Sequence, residues 1–257
     1  MMIPEAIPRH ALVTGAGKRI GRGLALALAD AGFDVSVHAN TSRDDAEQTA
    51  GEIRTKGRNA AIVMADLTDR DAVASLMGTA TNALGPVGVL VNNASLFQPD
   101  SARDVAPDLW DAHFRVHAEA PAFLARDLAA QLPDDAQGVI VNLVDQRVWR
   151  LTPQFFSYTL SKSVLWTMTR TLAQALAPDI RVNAIAPGPT LPSIHQSRED
   201  FEHEARSIPL QHGPDLNEFG ATLIHILSTP SLTGQMIALD GGQHLAWETP
   251  DVRGSGE

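Results

Sequence analysis

The sequence predicts an α/β protein built on a doubly wound parallel sheet of about seven strands, with helices on both faces, in a single domain. Short apolar runs alternate with longer segments of helical periodicity, which is typical of parallel strands joined by crossover helices. A chain of 257 residues can form one large core, and no linker-like stretch divides it. A glycine-rich turn joins the first strand to the first helix.

Seven segments are predicted as strands because they are short runs rich in Val, Ile, Leu and Ala. They are HALVT (10–14), FDVSVHA (33–39), AAIVMA (60–65), VGVLVNNA (87–94), GVIVNLV (138–144), IRVNAIAP (180–187) and GQMIALD (234–240). Ligands of a doubly wound sheet bind beyond the carboxyl ends of its strands. The residues that follow each run are therefore the candidates for a functional site.

Six segments between these runs have helical periodicity and are predicted as helices. They are residues 20–32, 43–57, 70–85, 108–132, 157–177 and 217–228. Residues 191–213, which lie between the sixth strand and the last helical segment, are predicted to form a loop, with His195, Phe201 and Leu210 as possible substrate contacts. The tail at 243–252 is predicted to pack against a neighbouring subunit.

Charge and composition exclude several classes of partner. The formal net charge of −10 repels phosphate backbones and anionic lipid headgroups, so neither nucleic acid nor a membrane is expected as a partner. Without cysteine there is no disulfide, thiolate nucleophile or zinc–thiolate site, and no metal site is predicted. The sequence shows no signal-like segment and no run of eighteen apolar residues, so we expect a soluble, cytoplasmic protein.

The first turn, TGAGKRIGRG (14–23), is typical of a phosphate-binding turn. Its glycines allow backbone amides to approach a phosphate, and the helix that follows favours negative charge at its N-terminus. The alternative is a tight turn that binds nothing. The predicted contacts to a dinucleotide are Gly15, Gly17, Lys18, Arg19, Ile20 and Gly21.

The end of the second strand predicts which dinucleotide is bound. NAD-binding proteins carry a carboxylate there, which holds the ribose 2′-hydroxyl. This chain instead has Asn40, Thr41, Ser42 and Arg43. A 2′-phosphate would be tolerated and could be held by Arg19, Ser42 or Arg43, so NADP(H) is the predicted cofactor. The alternative for Arg43 is a solvated first helical turn.

Two further strand ends contribute candidate cofactor contacts. Asp66 and Leu67 follow the third strand, where Asp66 either accepts a hydrogen bond from adenine or only begins a turn. Asn93, Ala94 and Ser95 follow the fourth strand, where small and amide side chains either line a flat ring or complete a loop.

Tyr158 and Lys162 form a possible catalytic pair in the fifth helical segment. They lie four residues apart, so both side chains are expected on one face of the helix. An ammonium near a phenol lowers the pKa of the phenol, and we expect Lys162 to make Tyr158 a usable proton donor near neutral pH. An incidental Tyr-x-x-x-Lys pair is common in helices, but this one follows the fifth strand of a dinucleotide-binding sheet.

The segments TGAGKRIG, NNAS, YTLSK, RVNAIAPGPT (181–190) and TGQMIALDGG (233–242) together resemble the short-chain dehydrogenase/reductase family along the whole chain. The resemblance implies a Rossmann-type sheet, a dimer or tetramer, and hydride transfer from a nicotinamide to a carbonyl or imine. It also implies a dinucleotide-binding half at about 8–135, a catalytic and substrate half at about 136–250, and a mobile loop at 191–213 that covers the substrate.

The resemblance implies roles for particular residues. Tyr158 would be the general acid, and Lys162 would hold the nicotinamide ribose and lower the pKa of the tyrosine. Asn92 would lie near the cofactor. Pro187, Gly188 and Thr190 would border the nicotinamide carboxamide and the pyrophosphate.

Three positions depart from the general family pattern. Arg19 replaces the middle glycine of the first turn, Asp145 replaces the serine before the tyrosine, and His117 replaces a helical asparagine. The first two changes, together with NNASLF, resemble the pteridine reductase branch, which includes dihydromonapterin and dihydrofolate reductases. In that branch an aromatic residue stacks on the pterin, and here it would be Phe97.

The predicted function is therefore an NADPH-dependent reductase of a small pterin-like substrate, with substrate contacts from Ser95, Phe97, Asp145 and Tyr158. Asp145 would accept from ring N–H groups and assist proton transfer, or else cap a turn. Phe97 would stack on the ring or anchor its loop, and His117 would extend a proton chain or be an ordinary helix residue. The alternatives are a carbonyl or 3-oxoacyl-thioester reductase and a non-catalytic NADP(H)-binding protein.

Overall fold

A computed structural model describes residues 2–192 and 196–247. Its strands are β1 (His10–Val13), β2 (Asp34–Ala39), β3 (Ala60–Met64), β4 (Val89–Asn92), β5 (Gly138–Leu143), β6 (Ile180–Pro187) and β7 (Met236–Leu239). They form one parallel sheet in the order β3-β2-β1-β4-β5-β6-β7. Each lies within a segment predicted as a strand, so the predicted fold class is confirmed.

The described residues form eight α-helices. They are α1 (Arg19–Asp30), α2 (Arg43–Thr55), α3 (Arg70–Leu84), α4 (Pro107–Phe114), α5 (Ala120–Gln131), α6 (Phe156–Ala175), α7 (Arg198–Ser207) and α8 (Leu216–Leu227). A π-helical turn, Arg115–Glu119, joins α4 to α5, and short 3₁₀ turns span Gln146–Val148 and Gln243–Leu245.

The helices cover both faces of the sheet. Successive side chains along a strand point to opposite faces, and the apolar side chains on each face need a covering layer. In β1, Val13 packs into the core shared with α1, α2 and α8, whereas Leu12 packs into the core shared with α3 and α5. The strand order reverses between β1 and β4, because β1 continues to β2 on one side and pairs with β4 on the other. This reversal opens a crevice at the carboxyl ends of the strands, where α/β sheets bind ligands.

One predicted helix, residues 108–132, is divided into α4, the π turn and α5. Pro121 lies in the first turn of α5. Proline has no N–H to donate to the carbonyl four residues earlier, which here belongs to His117, and its ring crowds that carbonyl. The helix accordingly widens into a π turn just before the proline, at the turn that carries His117.

Helix α7 lies inside the stretch that was predicted to be a loop. Ser197 caps it by accepting a hydrogen bond from the backbone N–H of Asp200, at 3.1 Å. The capping signal Ser-x-x-Asp was present in the sequence. The absence of buried residues on α7 explains why no apolar stripe revealed the helix.

None of the helices within residues 2–192 and 196–247 has the length and apolar character needed to cross a membrane.

Candidate functional site

The first turn brings the backbone that follows β1 into close contact with α1. Gly15 has φ of +63°, a conformation that favours glycine. A Cβ at Gly21 would lie 2.2 Å from the carbonyl oxygen of Gly15 and 2.4 Å from Nδ2 of Asn93. That amide nitrogen donates to the carbonyls of Thr14 and Gly15, at 2.8 and 3.1 Å. The turn therefore needs both Gly21 and Asn93.

The N-terminus of α1 retains the donors that a pyrophosphate needs. The capping position, Lys18, makes no side-chain capping bond, and the first turn of α1 contains no acidic residue. The first backbone N–H groups of a helix have no partner inside it and attract anions. Ile20 lies in the first turn of α1, and Gly15, Gly17 and Gly21 have no side chain to obstruct a close approach, so the residues present fit a dinucleotide phosphate.

Arg19 connects the first turn to the segment that follows β6. Its backbone has φ of +52°. The guanidinium donates to the carbonyl oxygens of Leu191 and Pro192, at 3.1 and 2.9 Å. The arginine that replaces the family glycine therefore closes one side of the crevice, next to the stretch predicted to cover a substrate.

The end of β2 contains no carboxylate, in agreement with the sequence. Asn40 and Thr41 are exposed, and Ser42 precedes α2 without making a side-chain capping bond. The nearby acid Asp45 is held by Lys18, whose Nζ lies 2.7 Å from its carboxylate. The strand end thus offers Asn40, Thr41 and Ser42 to a phosphate. The start of α2 is not itself an open anion site, because its first turn carries Asp44 and Asp45 and the Arg43 N–H donates to the Thr41 carbonyl.

Asp66 forms a turn after β3. Its carboxylate accepts from the backbone N–H and the hydroxyl of Thr68, at 2.9 and 2.8 Å, and Leu67 beside it is buried. One carboxylate oxygen is used in this turn. The other is not engaged by the described residues, so both roles given to Asp66 are compatible with its position.

The loop after β4 is attached to the first turn. The hydroxyl of Thr14 accepts from the backbone N–H groups of Asn93 and Ala94, at 2.9 and 3.0 Å. Asn92 donates to Oδ1 of Asn142 in β5, at 2.8 Å, and its own Oδ1 is buried without a partner among the described residues. Ser95 follows at the opening of the crevice.

Tyr158, Lys162 and Asp145 meet at the carboxyl end of β5. The Tyr158 hydroxyl donates to Oδ2 of Asp145, at 2.8 Å. The Lys162 Nζ donates to the carbonyl of Leu143, at 2.7 Å, and lies 5.8 Å from the centre of the tyrosine ring. Asp145 also accepts from the backbone N–H of Arg147, at 2.8 Å, so the turn-capping alternative and the contact with Tyr158 occur together.

The expected lowering of the Tyr158 pKa by Lys162 is wrong for this structure. Burial raises the pKa of Tyr158 well above its usual value, and the negative charge and hydrogen bond of Asp145 raise it further. Burial also raises the pKa of Asp145. The phenol is therefore protonated at neutral pH, as a proton donor requires.

Phe97 lies beside this group. Its ring packs edge-to-face against Tyr158, with ring centres 4.9 Å apart, and one of its faces stacks on Phe155, at 4.2 Å. The guanidinium of Arg147 lies over the Phe155 ring, 5.1 Å from its centre. Phe97 is thus supported from one side by an aromatic and cationic stack, next to the phenol and the carboxylate.

The segment after β6 reaches the same crevice. A Cβ at Gly188 would lie 2.5 Å from Cα of Asp240, and the Thr190 hydroxyl donates to the carbonyl of Gly188, at 3.0 Å. Pro187 ends β6. Thr190 and Phe201 line a cavity of about 300 Å³. Leu210 is exposed. His195 lies outside the described residues, as does half of the predicted tail, residues 248–252.

His117 contacts the loop after β4 rather than the Tyr158 hydroxyl directly. Its Nε2 lies 3.0 Å from Oγ of Ser95, and its Nδ1 lies 2.8 Å from Oγ of Ser161. The serine partners of this histidine were not predicted from the sequence. The signal was the matching spacing of four residues in two pairs, His113 with His117 and Ser157 with Ser161.

No metal site is visible in the part of the chain that the structure describes: residues 2–192 and 196–247 contain no group of three or more His, Cys, Asp or Glu side chains placed to bind an ion.

Replacing Gly21 is expected to disrupt the first turn. In Gly21→Ala the new methyl group overlaps the Gly15 carbonyl and the Asn93 amide, and overpacking of this kind destabilises by about 1–3 kcal/mol. Gly23→Ala is the matched control in the same helix, because its Cβ would meet only the Leu216 carbonyl, at 3.7 Å. Urea unfolding and NADPH titration of both variants check this. Equal stability of the two variants would contradict the packing argument.

Lys162 is expected to make the free energy of unfolding change with pH in the alkaline range. Burial lowers its pKa from 10.5 to about 8. Between these values the unfolded chain holds a proton that the folded chain has released, so the free energy of unfolding rises with pH. The rise amounts to about 3 kcal/mol for a shift of this size.

The comparison of wild type with Lys162→Met isolates this effect. Urea unfolding from pH 7.5 to 10.5 should show the wild type gaining stability relative to the variant, since every other group is shared. Parallel profiles for the two proteins would show that the Lys162 ammonium is not desolvated.

The parallel sheet, the uncapped N-terminus of α1 behind a glycine-rich turn, and the Tyr158–Lys162 pair at the end of β5 define a dinucleotide-dependent oxidoreductase of the Rossmann type. The sequence model of the short chain dehydrogenase family matches residues 9–203. The chain belongs to the short-chain dehydrogenase/reductase family, so the resemblance drawn from the sequence is confirmed.

Within this family, the chain is similar to solved structures and to curated relatives. FolM alternative dihydrofolate reductase 1 from Brucella canis, complexed with NADP, is 53% identical, with a TM-score of 0.94 over 97% of this chain and 100% of that one. The Brucella suis protein, also with NADP, is 55% identical, with a TM-score of 0.93 over 96% and 99%. A 3-oxoacyl-[acyl-carrier-protein] reductase from Staphylococcus epidermidis is 28% identical over 92% of this chain and 99% of its own length.

Proposed function

We propose that this protein is an NADPH-dependent reductase that transfers hydride to a dihydropterin or dihydrofolate. The observation that carries the proposal is the contact of the Tyr158 hydroxyl with the Asp145 carboxylate, 2.8 Å apart, beside the ring of Phe97. A carboxylate can accept hydrogen bonds from the N–H groups of a pterin, which the serine usual at this position cannot do as well. The similarity to the two Brucella enzymes supports the same substrate class.

NADPH, when bound, supplies the hydride. The N-terminus of α1 and the first turn, with Gly15, Gly17 and Lys18, hold its pyrophosphate. Asn40, Thr41 and Ser42 receive the 2′-phosphate at the end of β2, where no carboxylate directly follows the strand. Lys162 is charged at neutral pH because its pKa is about 8, and it holds the nicotinamide ribose. Pro187, Gly188 and Thr190 border the nicotinamide carboxamide.

Tyr158 gives a proton to the substrate nitrogen as the C=N bond is reduced. Its raised pKa keeps the phenol protonated until the substrate nitrogen gains electron density. Asp145 lies within hydrogen-bonding distance of the same hydroxyl, so once Tyr158 has given up its proton, a proton that Asp145 takes from water can pass to the phenolate. Burial raises the pKa of Asp145, which favours this return of a proton.

Phe97 and Ser95 complete the substrate site. The face of Phe97 that does not stack on Phe155 is the surface for a flat heterocycle. Ser95, whose hydroxyl works to lower the pKa of Tyr158 against the larger effects of burial and Asp145, lies at the edge of the same space. Asp145 then orients the ring by accepting from its N–H groups.

A panel of substrates tests the proposal. Steady-state rates with dihydrobiopterin, dihydromonapterin, dihydrofolate and an acetoacetyl thioester should show turnover of at least one of the first three. Turnover of the thioester alone would favour the carbonyl reductase, and no turnover together with tight NADPH binding would favour a non-catalytic protein. Fluorescence titration with NADPH and NADH tests the cofactor preference, which should be for NADPH.

We propose a cytoplasmic homo-oligomer, a dimer or a tetramer, with neither nucleic acid nor a membrane as partner. Leu160 and Val164, one turn apart on α6, are exposed large apolar side chains, as are Trp149 and Leu245 near the carboxyl ends of β5 and β7. Exposed apolar groups of this kind suit a subunit interface. Light scattering after gel filtration measures the oligomeric state, and a monomer at working concentration would contradict this proposal.

A further inference from the structure

Two histidines connect the π turn and α4 to the helix that carries Tyr158 and Lys162. His113 and His117 are 0% and 1% exposed. Their Nδ1 atoms lie 2.7 Å from Oγ of Ser157 and 2.8 Å from Oγ of Ser161. Each serine directly precedes one member of the Tyr158–Lys162 pair. The two histidines therefore contact α6 at the two helical turns that carry Tyr158 and Lys162.

The partners of His117 fix the position of its proton. The backbone N–H of Leu96 donates to Nε2, at 3.1 Å, so Nε2 is an acceptor. Ser161 donates its only hydroxyl proton to the carbonyl of Tyr158, at 2.7 Å, so it must accept from Nδ1–H. Both contacts require the same neutral tautomer, and burial together with the charge of Lys162 lowers the pKa of His117 well below 6.5.

The second pair reaches the far end of the same loop. The Ser157 hydroxyl donates to the Asp100 carboxylate, which also accepts from the Ser157 backbone N–H at 3.2 Å. Ser157 then accepts from Nδ1–H of His113. The first pair holds Ser95 and Leu96, and the second holds Asp100, so the loop after β4 is fixed at both ends.

We infer that these two histidine–serine pairs are positioning groups that hold the loop carrying Phe97 over the helix of Tyr158, with His117 serving as a hydrogen-bond acceptor rather than a proton carrier. Phe97 lies between the two attachment points, 4.9 Å from the tyrosine ring centre to centre. The inference rests on the proposed function, because Phe97 is taken there as the surface for the substrate ring.

The hydrogen-bond path through His117 argues against proton transfer. On one side, the Nε2 of His117 contacts the hydroxyl of Ser95, which lies near the Tyr158 hydroxyl. On the other side the path runs from Nδ1 through Ser161 to the backbone carbonyl of Tyr158, which holds no exchangeable proton. A proton that entered at Nε2 would also displace the Leu96 N–H from its acceptor. The path among the described residues therefore has no outlet.

Two substitutions at His117 separate the roles. His117→Ala removes the acceptor, and we expect hydrogen exchange in residues 94–97 to quicken roughly tenfold and KM for the dihydropterin to rise roughly tenfold. kcat, its pH profile and the NADPH Kd should stay close to wild type. In His117→Gln the amide oxygen can take the place of Nε2, so slow exchange and low KM should return without a titratable group.

The same experiment can overturn the inference. A proton carrier would lose kcat in both variants, would change the pH profile of kcat, and would not be rescued by glutamine. If alanine prevents folding, Ser161→Ala is the milder change, with Ser163→Ala as its control, because the Ser163 hydroxyl only donates to the Thr159 carbonyl. Equal exchange and KM in these two serine variants would also contradict the inference.

Failure of the proposed function is distinguishable from failure of this inference. If the wild type reduces no pterin, hydrogen exchange of residues 94–97 in wild type, His117→Ala and His117→Gln still reports whether His117 holds the loop. If pterins are turned over but exchange is the same in all three proteins, only the positioning role is lost.

Discussion

The Tyr158→Phe variant is expected to lose roughly 10²–10⁴ of kcat/KM for a dihydropterin, the usual contribution of a positioned general acid. Phenylalanine keeps the ring that packs against Phe97 and His117, at 4.9 and 5.3 Å between centres, and removes only the hydroxyl that donates to Asp145. The loss should therefore appear in kcat. Steady-state kinetics at saturating NADPH measure it.

NADPH titration is the control for this variant, because Lys162 and the first turn are unchanged. The Kd for NADPH should equal that of the wild type. A variant that reduces every tested substrate at the wild-type rate would show that Tyr158 is not the proton donor. A variant that fails to bind NADPH would show instead that the fold of the site was lost.

Replacing Asp145 should change both the chemistry and the titration of Tyr158. In Asp145→Asn an amide group takes the place of a carboxylate oxygen that accepts from ring N–H groups, so we expect kcat/KM for dihydropterins to fall at least roughly tenfold. Asp145→Ser restores the residue usual in the family. It should reduce turnover of pterins more than turnover of a ketone.

The titration of Tyr158 can be followed without interference, because it is the only tyrosine in the chain. The charge of Asp145 and its hydrogen bond raise the pKa of the phenol. Removing that charge in Asp145→Asn should lower this pKa, so tyrosinate absorbance should appear at lower pH than in the wild type. Identical absorbance titrations would mean that the Asp145 carboxylate does not act on the phenol.

The seven strands and their parallel arrangement follow from local signals that the sequence carries clearly. Runs such as GVIVNLV are buried on both faces, and their alternation with helices leaves a parallel sheet as the consistent arrangement. The prediction of helices failed at two places, each for a local reason. Pro121 interrupts a long helical pattern and produces the π turn at His117, and α7 has a capping serine but no buried face.

The site was predictable where a residue type carries its chemistry by itself. Tyr158, Lys162, Asp145 and the glycines of the first turn lie at the carboxyl edge of the sheet, as their positions after strands required. The direction in which the pKa of Tyr158 shifts was not predictable. It depends on burial and on the distance to Asp145, rather than on the spacing of Tyr158 and Lys162 along the helix. Contacts between Asp100 and Ser157, 57 residues apart, are likewise invisible to local patterns.

The central claim is that Tyr158 and Asp145 act together on a flat heterocycle supported by Phe97. A crystal structure with NADP⁺ and a dihydropterin tests it most directly. We expect the ring to stack on Phe97, its N–H groups to bind Asp145, and the nitrogen of the reducible C=N bond to lie within hydrogen-bonding distance of the Tyr158 hydroxyl. A ring bound elsewhere, or a Tyr158 hydroxyl directed away from it with Asp145 in contact only with solvent, would contradict the claim.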